Sequence, residues 1–177
     1  MQTPTTRLIP VDFLTSSHYI FGQVKGTNRG IYGILGDNTT EALDVYDASL
    51  ARVQTPENLI NYTPVMWLVK NKIVVVCLNK RDFIGPISLA RGGYSSMYTY
   101  PVQITTTVYE LQGTVEWPGR FEFKAFMAEG VNPFIILYDA ILVSTLFPKL
   151  RIERPVMLFN RSFLDTLVML KKANPDT

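Results

Sequence analysis

The sequence predicts an all-β protein built as two tandem small barrels related by internal duplication, with room for a short helix in each. Three observations lead there. Val, Ile and Thr number 16, 13 and 17 and are joined by 21 aromatics, against only 8 Ala and 7 Glu. β-Branched and aromatic side chains suit a pleated surface, whereas Ala and Glu favour helices. Apolar runs of strand length alternate with Gly, Pro and Asn clusters. Finally, the chain repeats itself, which outranks any local pattern as a guide to architecture.

The repeat consists of four segments in the same order. Gly22-Gln23-Val24 lines up with Gly113-Thr114-Val115, and Val45-Tyr46-Asp47-Ala48-Ser49-Leu50 with Leu137-Tyr138-Asp139-Ala140-Ile141-Leu142. Pro64-Val65-Met66-Trp67-Leu68 matches Pro155-Val156-Met157-Leu158-Phe159, and Asn71-Lys72 matches Asn160-Arg161. The displacements are 91, 92, 91 and 89 residues. Two units follow, 10–78 and 102–171, joined by a linker at 79–101 with Gly85-Pro86, Gly92-Gly93 and Ser95-Ser96 as loop signals.

In the first unit, strands are expected at 17–25, 42–53, 64–69 and 73–78. Lys70-Asn71-Lys72 forms the last hairpin turn, with loops at 26–30 and 36–40. In the second unit, 104–116 is a Thr- and Val-rich strand with a bulge or bend at Gly113. Residues 121–129 form a strand or a short helix, because Phe123, Phe126 and Met127 fit one helical face. Strands follow at 134–146, 152–159 and 163–170, the last two flanking a hairpin turn at Asn160-Arg161-Ser162. Four or five short apolar strands in each unit favour a closed barrel, because closure removes exposed edges. One merged β-sandwich is the alternative.

The ordered pattern resembles the Sm-like and SH3-like small barrels. Val45-Tyr46-Asp47-Ala48 and Leu137-Tyr138-Asp139-Ala140 stand where Sm-like chains carry an apolar segment ending in Leu-Asp-Asp-Ala or similar. The segments 66–78 and 157–170 stand where they carry two strands around a short basic turn. The chain also resembles an uncharacterised bacterial family of such barrels, ending in strand, Asn-Lys or Asn-Arg turn, strand. The resemblance implies the barrel fold. It does not imply the uridine pocket of RNA-binding Sm proteins. Their Asn position falls at Ala42 and Phe134, and their Arg-Gly is absent from both turns; Arg91-Gly92 lies in the linker.

Catalytic chemistry finds little purchase. His18 is the single histidine and Cys77 the single cysteine, which lies in an apolar run as a buried small hydrophobe. Neither has the neighbours that a catalytic triad or a metal cluster requires. No nucleophile elbow, Walker loop or dinucleotide fingerprint occurs. Asp47 and Asp139 recur and read as structural residues that accept backbone N–H groups where a strand bends. Asn71 and Asn160 read as turn residues tolerating positive φ. No catalytic residue, cofactor or metal is expected.

Seventeen Lys and Arg against fifteen Asp and Glu leave a net charge of +2, too balanced to announce a nucleic acid by bulk charge. The candidate binding rim comprises Trp67, Lys70, Lys72, Lys80 and Arg81, with Arg161 as a counterpart in the second unit. No apolar run reaches the roughly 18 residues of a membrane span, and the absence of an export signal together with the unpaired cysteine points to the cytoplasm. The functional expectation is a non-enzymatic interaction or scaffold protein that self-associates or binds a protein partner, with some of Trp67, Trp117, Phe147, Tyr94, Tyr98 and Tyr100 covering an interface. The alternative is an RNA- or single-strand-binding module acting through the basic rim by charge and stacking.

Overall fold

Most apolar runs pair with a sequence neighbour, and longer connections join these groups into one sheet. The computed structural model describes residues 7–86, 96–128 and 130–171. The first half runs β1 (Arg7–Leu14), β2 (His18–Gly26), α1 (Gly30–Leu35), β3 (Ala42–Arg52), β4 (Thr55–Val69), a 3-10 turn at Lys70–Lys72 and β5 (Val75–Leu78). A second 3-10 turn, Arg81–Ile84, follows. The second half runs β6 (Tyr98–Thr105), β7 (Tyr109–Trp117), α2 (Phe123–Ala128), β8 (Phe134–Ser144), β9 (Arg151–Asn160), a 3-10 turn at Arg161–Phe163 and β10 (Thr166–Met169). Among the described residues both halves thus pass through the same order of strands, each with one six-residue helix between its second and third strands. β1 begins ahead of residue 10, and β6 begins inside the stretch 79–101.

The correspondence extends to irregularities. The β2–β3 ladder slips between Phe21 and Gln23, and the β7–β8 ladder between Gln112 and Thr114. Gly22 and Gly113 stand at the slips. A Cβ on Gly22 would strike the Val45 side chain and lie 2.9 Å from the Tyr46 carbonyl oxygen. Glycine there lets two strands approach where the bulge tightens the twist. Opposite each bulge, Asp47 and Asp139 both adopt φ 47°.

All ladders are antiparallel, and the strand order is β10-β6-β7-β8-β9-β5-β1-β2-β3-β4. The strands form one continuous sheet that does not close, in place of two separate closed barrels. The reason is β5. It pairs with β1 on one side and with β9 of the other half on the other, so it joins the two five-stranded blocks. β4 and β10 are left as outer edges.

The two expected hairpin turns are likewise replaced. β4 does not pair with β5, nor β9 with β10; β10 pairs with β6. The 3-10 turns are flanked by extended residues (ψ 120° at Val69 and 121° at Ile73), so the chain crosses to the far side of its block instead of folding back. Positive φ among the described non-glycine residues occurs at Asp47 and Asp139, and Asn160 has φ −81°. A 91-residue displacement places Lys70 opposite Arg161 and Asn71 opposite Ser162, which supersedes the displacement of 89 read from the Asn-Lys pair.

Two apolar cores result. One is built on Val11, Phe13, Val45, Val76 and Leu78, the other on Ile104, Tyr109, Leu111, Leu142 and Phe159. Of the stretch 121–129, Phe123–Ala128 form the helix: Phe126 of α2 packs with Trp117 and Phe121, the three ring centroids 5.1–5.8 Å apart. That buries Trp117, while Tyr94 and Arg91-Gly92 lie outside the described residues.

Candidate interaction surface

The junction between β5 and β9 joins the two halves through side chains as well as main chain. Val75-Val76-Cys77-Leu78 is apolar without alternation, as a strand covered on both faces must be, and all four are buried. Val75 and Cys77 enter the second core while Val76 and Leu78 enter the first. β9 reciprocates: Met157 and Phe159 stay in the second core, and Val156 and Leu158 enter the first. Each strand therefore contributes side chains to its neighbour's core.

Polar groups flank this junction. Arg154 of β9 donates to the Asp12 carboxylate of β1 at 3.0 Å, and Tyr19 Oη donates to the same oxygen at 3.1 Å. The buried Asn160 donates from Nδ2 to the Ile73 carbonyl at 3.0 Å, and its Oδ1 accepts the Ser162 N–H. Arg81 grips both oxygens of Asp139 at 2.8 and 2.9 Å and lies over the Tyr138 ring. Asp47 instead accepts from Tyr62 Oη at 3.3 Å. Both of these carboxylates thus accept from side-chain donors.

The outer edges differ in exposure. On β4, Leu59, Ile60, Tyr62, Val65, Trp67 and Val69 are exposed, Trp67 by 76 %. On β10, Val168 and Met169 are exposed. Unpaired strand edges with apolar side chains are templates for further pairing.

The predicted rim is distributed among different tasks. Lys70 is buried, and its Nζ donates to the Ile34 and Asp37 carbonyls and to Thr40 Oγ1 at 2.7–2.9 Å. Burial lowers its pKa, opposed by the Asp37 charge. Arg161 does the equivalent work in the second half, donating to the carbonyls of Phe126, Gly130 and Asn132. Both cations hold the end of a helix and the loop that follows it, where free carbonyls need donors. Lys80 lies 5.9 Å from the Phe83 ring centroid, Lys72 is exposed, and Trp67 stands on the β4 edge. Lys70→Met, which strips donors from three acceptors, is expected to cost about 3 kcal/mol. Lys70→Arg should retain most of that stability, and urea midpoints of the two variants check it.

A groove of about 540 Å³ beside α1 is lined by Val24, Lys25, Arg29, Asp37, Asp44 and Tyr46, among others. Charges of both signs meet in it, and Lys25 lies over the Tyr46 ring. Among the described residues no buried side-chain polar atom lacks a partner, and no cluster of His, Cys, Asp or Glu could hold a metal ion. Nor is any described helix long and apolar enough to cross a membrane. His18 rests with its ring Nδ1 2.8 Å from Ser17 Oγ, and Cys77 is buried at the junction. Sequence reasoning did not locate the sheet edges at β4 and β10; Trp67 inside a repeated apolar segment was the available signal.

No family model, curated protein or solved structure matches this chain.

Proposed function

We propose that the protein is a non-enzymatic scaffold that self-associates through the edges of its sheet, each five-stranded block being a partly open small barrel of the Sm-like or SH3-like kind. One observation bears most of this reading: among the described residues β4 and β10 have no second neighbour, and both present exposed apolar side chains. Each of the two cores draws most of its side chains from one block, with strands at the junction contributing to both, which favours a modular ancestry. Two of the basic residues expected to hold an anion, Lys70 and Arg161, are occupied by carbonyl groups, which favours protein association over nucleic acid.

Strand-edge association supplies affinity from main-chain hydrogen bonds and selectivity from alternate side chains. The full chain is expected to sediment above its monomer mass of 20.1 kDa in the micromolar range. Trp67→Lys should shift the distribution toward one copy, because a charge on an edge strand opposes pairing. A wild-type mass of 20.1 kDa at high micromolar concentration overturns the reading.

A further inference from the structure

Resting on that reading, we propose that the partner is a second copy of this chain, joined head to tail, with β10 of one copy pairing antiparallel to β4 of the next in the register of the internal β5–β9 junction. The internal ladder pairs Val75 with Phe159, Val76 with Leu158, Cys77 with Met157 and Leu78 with Val156. A displacement of 91 residues converts β5 into β10 and β9 into β4. The same displacement relates their neighbours, since β5 lies on β1 with Phe13 opposite Val76, and β10 lies on β6 with Ile104 opposite Leu167. The copied register is therefore Thr166 with Leu68, Leu167 with Trp67, Val168 with Met66 and Met169 with Val65.

Exposure follows that conversion. Leu68 and Met66 take the places of Phe159 and Met157, which stay in their own core; Leu68 is buried, and Met66 packs on the first core. Val65 and Trp67 take the places of Val156 and Leu158, which enter the neighbouring core, and both are exposed. On β10, Leu167 packs inward as Val76 does, while Val168, in the place of Cys77, is 52 % exposed. The side chains exposed at the interior of these edges are largely those whose equivalents fill a neighbour's core.

Charges agree. Asp139 holds Arg81 across the internal junction, and its equivalent Asp47 is exposed on the β4 side. In the sequence, Lys171 and Lys172 stand 91 residues after Lys80 and Arg81. Where Asp12 meets Arg154 inside, the outer joint offers Gln103 and Thr63, so neither open edge carries half of that ion pair. A heterologous contact of this kind places β10 against β4, never like against like.

The test is disulfide trapping on the full-length chain. Val65→Cys and Met169→Cys sit at exposed positions and are opposed in the copied register. Mixed and oxidised, they are expected to give a covalent two-chain product, while each variant alone gives little. The chain bearing both substitutions should give a ladder. Met66→Cys with Val168→Cys should repeat the result. Trp67→Cys with Met169→Cys should not, because diagonal partners stand beyond disulfide reach. Dimer formed by Val65→Cys alone, or a mixture that stays uncrosslinked while the wild type sediments as a multimer, overturns this joint and leaves self-association standing. A wild type that sediments as one copy overturns both.

Discussion

Gly30→Ala is expected to destabilise the fold by about 4 kcal/mol. Two costs combine. Gly30 has φ 64°, and holding a side chain there costs roughly 1–2 kcal/mol. Its Cβ would also strike the Ile84 carbonyl oxygen and the Gly85 backbone, which cannot swing aside as a flexible side chain can. Overpacking of that kind typically costs about 1–3 kcal/mol. Gly85, at φ 106°, approaches the Arg29 carbonyl in return, so two glycines lock α1 against the turn that follows β5. Gly119 provides the control. It has φ 70° with nothing within 4 Å of a built Cβ, so Gly119→Ala should show the dihedral cost alone, about 1–2 kcal/mol. Urea denaturation of both variants separates the terms. Equal losses would mean that the close approach contributes nothing.

Alkaline pH is expected to unfold the protein steeply. Cys77, Tyr19 and Tyr109 are buried, and burial raises the pKa of all three. For Tyr19 the nearby Asp12 charge adds to the effect. Tyr109 also donates to the Thr15 carbonyl at 2.6 Å, a bond that needs its proton. A raised folded-state value means that the contribution to stability is complete below the unfolded value and falls as pH rises above it. Unfolded Cys and Tyr titrate near about 8.5 and 10, so the loss begins near pH 8.5 and steepens past 10. Each group then contributes about 1.4 kcal/mol per pH unit, or roughly 4 together. Lys70 acts in the opposite sense. Its lowered value makes stability rise with pH until the unfolded lysine titrates at about 10.4, and the opposition ends there. Thermal melts from pH 8 to 11 check this. A transition temperature that stays flat through pH 11 would contradict it, and Tyr109→Phe should flatten the slope by about one third.

The β class and the spacing of the two halves were legible because they rest on long stretches of composition and on repeated segments such as Val45–Leu50. Trp67 was legible as a surface aromatic for the same reason. β1 was not. Arg7, Pro10 and Asp12 break its apolar alternation, yet its buried side chains Ile9, Val11 and Phe13 line the first core. α1 was hidden among glycines, because its position is set by tertiary contact with the turn at Arg81–Ile84 and not by helix propensity. The two supposed hairpins failed for a related reason. A short polar turn between apolar strands signals a reversal of the chain, but whether the next strand lies beside the last is decided by which edge is vacant. Lys70 and Arg161 looked like surface cations because a sequence does not reveal the carbonyls of Ile34 and Gly130, 36 and 31 residues away.

The position of β5 also governs how the chain must fold as it is synthesised. Leu78 pairs with Val156, which leaves the ribosome 78 residues later. At roughly 5–20 residues per second that is an interval of about 4–16 seconds. Throughout it, Val75-Val76-Cys77-Leu78 has β1 on one flank and nothing on the other. Neighbouring nascent chains on one message then compete with the chain's own β9 for that flank, and exchange of strands between siblings is the failure mode that this architecture has to outrun.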